Sequence, residues 1–361
     1  MAANVVIGRA PLAPAGWAVV VRAPARVDLA GGWSDTPPLC WEAGAGGAVV
    51  NVALAIDGAL PLCARARRVR EPCVALVDGG EGEWRGGGGG GGGGGRRDAT
   101  VAVVVLTELA ELRACADPTA PCALLRAALL SCGALRSDAA APPLREQLRL
   151  LGGGVEVSVT STLPRGSGLG ASSILGAAAI AALGAAFGLS LDGQSLMHAT
   201  LQLEQRLSAR GGWQDQVGGA YPGVKLGTCA PLAPPSVDVR ILPLTAGARE
   251  ALDRHLCLAY TGRTRLARGL LQAVLRAWHG GSDEVLSVLD ELVGGAREMA
   301  VALEAADMVS AGRCLDRYWR LKRALCADAE PPAVSRMLAA ARPLVHGAAL
   351  AGAGGGGFLV M

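Results

Sequence analysis

The stretch "LPRGSGLGASS", residues 163–173, spaces glycines at 166, 168 and 170. Glycine spacing of this kind lets successive backbone N–H groups converge on an anion, and a helix starting just after it adds its positive end. The loop has no GK[ST] ending, so any phosphate there lacks the lysine of a Walker loop. The hydroxyls of Ser172 and Ser173 would instead help hold a magnesium ion at the helix start. A plain Gly-Ala turn before a packed helix is the competing reading. Two carboxylates follow in "SLMHATLQLEQRLSARGGWQDQVGG". Glu204 falls near the C-terminal end of a helix with Leu196, Leu203 and Leu207 inward, where an acid opposes the macrodipole and calls for a cation. That cation is either a metal or Arg206 or Arg210. Asp215, between glycine pairs and flanked by glutamines, is the general-base candidate, with a solvated turn Asp as the alternative.

The histidines offer no rival chemistry. His198, His255, His279 and His346 form no metal-ligand pair, and no serine sits in a GxSxG elbow, so zinc sites and hydrolase triads rank low.

The elements that must position these groups follow from periodicity. "WAVVVRAPARVDLAGGW" is an apolar strand running into a glycine- and proline-punctuated loop, and "GAVVNVALAIDGALPLCARAR" is two strands around the turn "IDG". Helical patterns are expected near residues 100–115, 121–135 and 143–151. Val155, Val157 and Val159 alternate with Glu156, Ser158 and Thr160, which predicts a half-buried strand delivering the chain into the glycine loop. The prolines between 230 and 243 suggest a domain boundary. "LCLAY" reads as a strand, helices cover much of 263–342, and "GAALAGAGGGGFLVM" ends in a strand. Residues 1–16 are expected to be a tail or linker, and the ten glycines Gly86–Gly95 a disordered insertion.

At 361 residues the chain is long enough for two lobes. Its aromatic residues are only seven Trp, three Tyr and two Phe, so Ala, Val and Leu must build the core, as in an α/β protein. A net charge of +3 with dispersed Arg argues against nucleic acid and gives no reason for a membrane surface. From Gly166 to Leu191 there is no charge, yet Ala and Gly dominate and gain little in lipid, so a buried helix is favoured over a span. Ten cysteines at irregular spacing are expected to be reduced and buried, consistent with a cytoplasmic protein.

Three segments, "PARVDLAGGWSD", "LPRGSGLGASS" and "GAGGGGF", resemble in order the three motifs of the GHMP small-molecule kinases. Within that family "GGWSDTPP", "LEQRLSARGGWQDQVGGAYPGVK", "YTGRTRLAR" and "YWRLKRAL" are similar to the members that phosphorylate L-fucose, over nearly the whole chain after the tail. The resemblance implies a two-lobed α/β (α+β) fold, with a ribosomal S5-like lobe over 17–230 and a ferredoxin-like lobe over 231–361. It implies ATP and Mg²⁺ as cofactors and transfer of phosphate to the sugar's anomeric oxygen, as in salvage toward GDP-fucose. By the same resemblance Pro164, Gly166, Ser167, Gly168, Leu169, Gly170, Ala171, Ser172 and Ser173 hold the nucleotide. Ser172, better aligned than its neighbour, and Glu204 hold the metal. Asp215 takes the proton and Arg26 steadies the phosphoryl group and the base. Gly32, Trp33, Ser34 and Asp35 face the sugar, and Gly354, Gly355 and Gly356 bring backbone close to it. Arg265 and Lys322 are weaker candidates for phosphate or lid contacts.

Two alternatives stay open: a kinase of heptose 7-phosphate, whose first motif is usually glycine-rich where this chain has Trp33 and Ser34, and a sugar- or nucleotide-binding module without turnover. The family continues beyond "GAGGGGFLV" through a last strand, so the final strand, with only Phe358 to Met361 after the glycines, is expected to pair poorly. The chain reads as a fragment of weak activity, without the large N-terminal half of animal relatives.

Overall fold

Pro24 divides the first apolar run into two strands that enter different sheets, because proline lacks the N–H a ladder needs. The computed structural model describes residues 5–42, 44–78, 102–117, 120–207, 211–232, 236–263 and 268–361. Its strands are β1 (Ile7–Arg9), β2 (Ala18–Ala23), β3 (Ala25–Ala30), β4 (Gly47–Leu54), β5 (Leu62–Val69), β6 (Val74–Asp78), β7 (Ala102–Leu106), β8 (Gly154–Ser161), β9 (Leu189–Leu191), β10 (Val224–Cys229), β11 (Val237–Ile241), β12 (Leu258–Tyr260), β13 (Ala349–Leu350) and β14 (Phe358–Val360). The helices are α1 (Leu39–Glu42), α2 (Leu109–Arg113), α3 (Ala123–Ser131), α4 (Leu144–Leu150), α5 (Ala171–Ala186), α6 (Gly193–Arg206), α7 (Gln214–Ala220), α8 (Ala246–His255), α9 (Arg268–His279), α10 (Asp283–Glu304), α11 (Met308–Leu325) and α12 (Pro332–Ala341).

One sheet runs β2-β5-β8-β6-β7, and α5 packs across β2, β5 and β8. The uncharged stretch is therefore a core helix, its Ala and Gly surface allowing close approach to the sheet and to α3 and α6. No described helix is long and apolar enough to cross a membrane. A second sheet, β11-β10-β4-β3, has α7 and α10 packed against it. The third is β12-β14-β13, with α11 packed against β13.

The "IDG" turn is present, with Asp57 and Gly58 both at positive φ and Ile56 bridging Ala59. Five expectations are corrected. The pattern at 100–115 is a strand, Ala102–Leu106, followed by the short α2; the β-branched run "AVVVL" pairs with β6 instead of coiling. The supposed tail contains β1, which pairs antiparallel with β9. The proline-rich segment after Cys229 does not end a sheet, since β11 returns to pair with β10 along Lys225–Cys229. The last strand is anchored on both sides, by β12 and by β13, because the glycine run reverses the chain and seats three residues in the centre of a small sheet. The ten cysteines form no disulfide, but Cys257 is exposed, so they are not all buried. The Gly86–Gly95 tract lies outside the described residues.

Candidate active site

Strand β3 is buried along its whole length although it carries Arg26 and Asp28. It lies at the edge of its sheet, and its outward N–H is satisfied by the glycine loop: Arg26 N donates to Leu169 O at 3.1 Å. This contact sets the loop beside the strand. Gly170 caps α5 in the left-handed conformation at φ 73°, and a Cβ there would meet Arg26 Cγ and Nε at 2.9 Å. Only glycine permits that approach. No side chain caps the helix, so its first N–H groups stay open toward an anion.

The Arg26 guanidinium lies between two carboxylates. Nε donates to Asp215 Oδ1 at 2.7 Å and Nη2 to the same oxygen, while Nη1 donates to Asp28 Oδ1 and to Gly168 O, the latter at 3.1 Å. Burial opposes the Arg26 charge, but Asp215 and Asp28 outweigh it and raise its pKa. Burial likewise pushes the Asp28 carboxyl up, yet Arg26 and Lys322 hold it below the ordinary range. Asp215 is in the first turn of α7, where an acid complements the dipole, so it is neither a free turn residue nor fully solvated.

Ser173 joins the two carboxylates singled out in the sequence. Its hydroxyl donates to Glu204 Oε1 and lies 3.2 Å from Asp215 Oδ2. The serine beside Glu204 is thus Ser173, and Ser172 makes no such contact: one residue along the first helical turn rotates the side chain by about 100°. Glu204 is buried near the end of α6, and burial, with the Asp215 charge adding to it, lifts its carboxyl to about 8. No three His, Cys, Asp or Glu side chains cluster as a metal centre among the described residues. Two carboxylates and a hydroxyl nevertheless form an all-oxygen donor set of the kind magnesium takes when phosphate and water complete its shell.

These groups open on one cavity of about 420 Å³, bounded by the glycine loop, Trp33, Glu204, Asp215 and Leu271. Trp33 reaches it from a left-handed backbone at φ 80°, a conformation uncommon outside glycine. Other residues proposed for the sugar have different placements. Ser34 is buried and donates to Gly31 O at 2.7 Å. Asp35 accepts from Trp33 N at 2.9 Å and Gln214 N at 3.0 Å, tying the first loop to α7, and burial lifts it to about 6. Gly32 leaves room for Tyr318, since a Cβ would stand 2.5 Å from its hydroxyl.

Gly354 and Gly355 pack on Ala329 and Gly356 on Arg263, leaving Gly352 and Ala353 as the part of that run at the cavity. The run is tied to the glycine loop: Phe358 N donates to Ser167 O at 3.2 Å. Pro164 and Leu169 shape the loop without lining the cavity, while Gly166, Ser167, Gly168, Ala171 and Ser172 line it. Arg210 and Arg265 lie outside the described residues.

Residues 135–223 match the family described as the GHMP kinases N terminal domain. That segment carries a GHMP kinase N-terminal domain. The chain's fold agrees: the mevalonate kinase of Methanococcus jannaschii superposes with a TM-score of 0.64 at 15% identity, covering 96% of this chain and 91% of that one. The chain is 34% identical over 345 residues to the L-fucokinase/L-fucose-1-P guanylyltransferase of Bacteroides fragilis and 28% identical over 340 residues to the bifunctional fucokinase/GDP-fucose pyrophosphorylase of Arabidopsis thaliana. Each match takes in 94% of this chain but only 34% and 29% of those proteins, so the chain spans about a third of their length.

Two residues around Arg26, Asp28 and Tyr318, were not singled out in the sequence, and Lys322, expected at a phosphate or lid, is instead buried and donates to Tyr318 Oη and Gly352 O. Asp28 is two positions after Arg26 on the same strand face, which period-two alternation makes visible. Tyr318 and Lys322 share a face of α11 at a spacing of four, but only the fold brings that face to β3.

Proposed function

We propose that this chain is the catalytic part of an ATP-dependent sugar kinase that phosphorylates L-fucose at its anomeric hydroxyl. The observation that carries the reading is the bond from Arg26 to Asp215 Oδ1 beside the glycine loop, with Asp215 lining the cavity and its Oδ2 lying 3.2 Å from the Ser173 hydroxyl. That oxygen is the acceptor for the proton of the sugar hydroxyl. Arg26 neutralises charge where the phosphoryl group passes, and the N–H groups of residues 166–173 bind the nucleotide phosphates. Glu204 and Ser173 are the residues to hold magnesium, which when bound supplies charge neutralisation at the phosphates. The choice of L-fucose rests on the two relatives, whose names pair a fucokinase with a nucleotidyl-transferring activity. A sugar 1-phosphate is the substrate class of such transfer, so we place the reaction in salvage toward GDP-fucose, in the cytoplasm, where ten cysteines outside any disulfide would stay reduced.

The test is turnover of the purified chain with ATP and Mg²⁺ on a panel of monosaccharides that includes L-fucose and heptose 7-phosphate. Phosphorylation of L-fucose at O1 supports the reading. Preference for the heptose phosphate replaces the substrate, and binding of sugar and ATP without turnover makes the chain a binding module.

A further inference from the structure

The segment "YWRLKRAL" on α11 has no part in the chemistry above, yet it reaches the same strand. Tyr318 Oη donates to Asp28 Oδ2 at 2.6 Å, and Lys322 Nζ donates to Tyr318 Oη at 3.1 Å and to Gly352 O. Gly352 N in turn lies 3.3 Å from Asp28 Oδ1, which also receives Arg26 Nη1. Lys322 donates to Tyr318 and Tyr318 to Asp28, while Arg26 donates to Asp28 from the other side, so the two runs of donors meet at the Asp28 carboxylate. All four side chains are at most 2% exposed. The Lys322 ammonium also stands 4.8 Å from the centre of the Trp33 ring, at the first loop.

A consequence follows for the guanidinium. Held at Nη1 by Asp28, Arg26 has only Nε and Nη2 to give Asp215, and both go to a single oxygen. If Asp28 were free to turn, the planar fork of Arg26 could rotate onto both Asp215 oxygens and occupy Oδ2, the one beside the Ser173 hydroxyl. Tyr318 is what keeps Asp28 from turning, since its hydroxyl takes the second oxygen. The absence of a side chain at Gly32 leaves space for this bond, as a Cβ there would lie 3.0 Å from Asp28 Oδ2.

We propose that Tyr318 and Lys322 are positioning residues of the phosphoryl-transfer site, fixing Arg26, and so the Asp215–Arg26 pair, through Asp28 from a helix of the second lobe. The inference rests on the kinase reading for its kinetic test and on geometry alone for its spectroscopic one.

Tyr318→Phe removes one hydrogen bond to a buried charge and should lower kcat by about 10- to 100-fold, with KM for ATP and sugar changed less than about twofold. In an Asp28→Asn background the same substitution should cost less than about threefold, because the intermediary is already altered. Losses that multiply in full would overturn the inference. Independently of turnover, the Arg26 Nε–H resonance in ¹⁵N-edited spectra, assigned by its loss in Arg26→Lys, should shift and exchange faster in Tyr318→Phe. It should not move in Tyr260→Phe, a tyrosine 40% exposed on β12. An Arg26 signal indifferent to Tyr318→Phe sinks the inference even if the enzyme is active. A wild-type chain that phosphorylates nothing sinks the kinase reading, and the resonance then decides alone. Should Tyr318→Phe not fold, Lys322→Met carries the same two readouts.

Discussion

Arg26 Nε donates to Asp215 Oδ1 at 2.7 Å, joining a strand and a helix 189 positions apart in the chain. The bond takes one carboxylate oxygen of Asp215, and the other lies 3.2 Å from the Ser173 hydroxyl.

Asp215→Asn keeps the shape of the side chain and removes its basicity. Turnover should fall by about 10²–10⁴-fold while sugar affinity, measured by calorimetry, stays within a few-fold. Near-normal turnover in the folded variant would take Asp215 out of the mechanism.

Ser173→Ala and Ser172→Ala separate the two hydroxyls at the start of α5. Only Ser173 meets Glu204, so its loss should reduce activity by about 10-fold or more, and loss of Ser172 by much less. Initial rates over a range of Mg²⁺ concentrations check this, and equal effects would show that neither serine is singled out by that contact.

Glu204 predicts a pH-dependent stability. Its folded carboxyl sits at about 8 against an ordinary 4.5, so below pH 4.5 both states are protonated and no cost arises. Between pH 4.5 and 8 the unfolded chain ionises first, stability falls, and above 8 the cost is constant. Asp35, at about 6, acts with the same sign, while Lys225 and Lys322, lowered by burial to about 7 and 8, act oppositely at higher pH. Melting curves between pH 5 and 7 should therefore decline more steeply in the wild type than in Glu204→Gln. At pH 8 magnesium with a nucleotide should raise the wild-type Tm more than the variant's. Parallel pH slopes would mean that Glu204 is not held neutral by its surroundings.

Gly170→Ala places a methyl group 2.9 Å from Arg26 at a residue with φ 73°. Both the strain and the displaced guanidinium predict a lower Tm and a loss of most activity, whereas Gly247→Ala on α8, with open space around it, should be neutral or slightly stabilising. Calorimetric melts and rates on the pair decide the matter.

The sequence by itself determined the chemistry's ingredients. Glycines at 166, 168 and 170 before an uncharged run can only turn tightly and then pack, and Glu204 and Asp215 stand out because a helix end and a glycine turn give an acid no local reason to be there. Val155, Val157 and Val159 declare their strand through a period of two, a property of the backbone alone. What the tertiary structure decided is which of these groups meet. Whether Ser172 or Ser173 faces Glu204 depends on the angle at which α5 lies against α6, and no local pattern encodes it. Long-range pairing also decided that β1 and β14 are held, since a three-residue strand has too little pattern of its own and is stabilised by the partner it finds. The Asp28–Tyr318 bond spans 290 positions, and its burial, which gives it strength, exists only once the two lobes have closed around it.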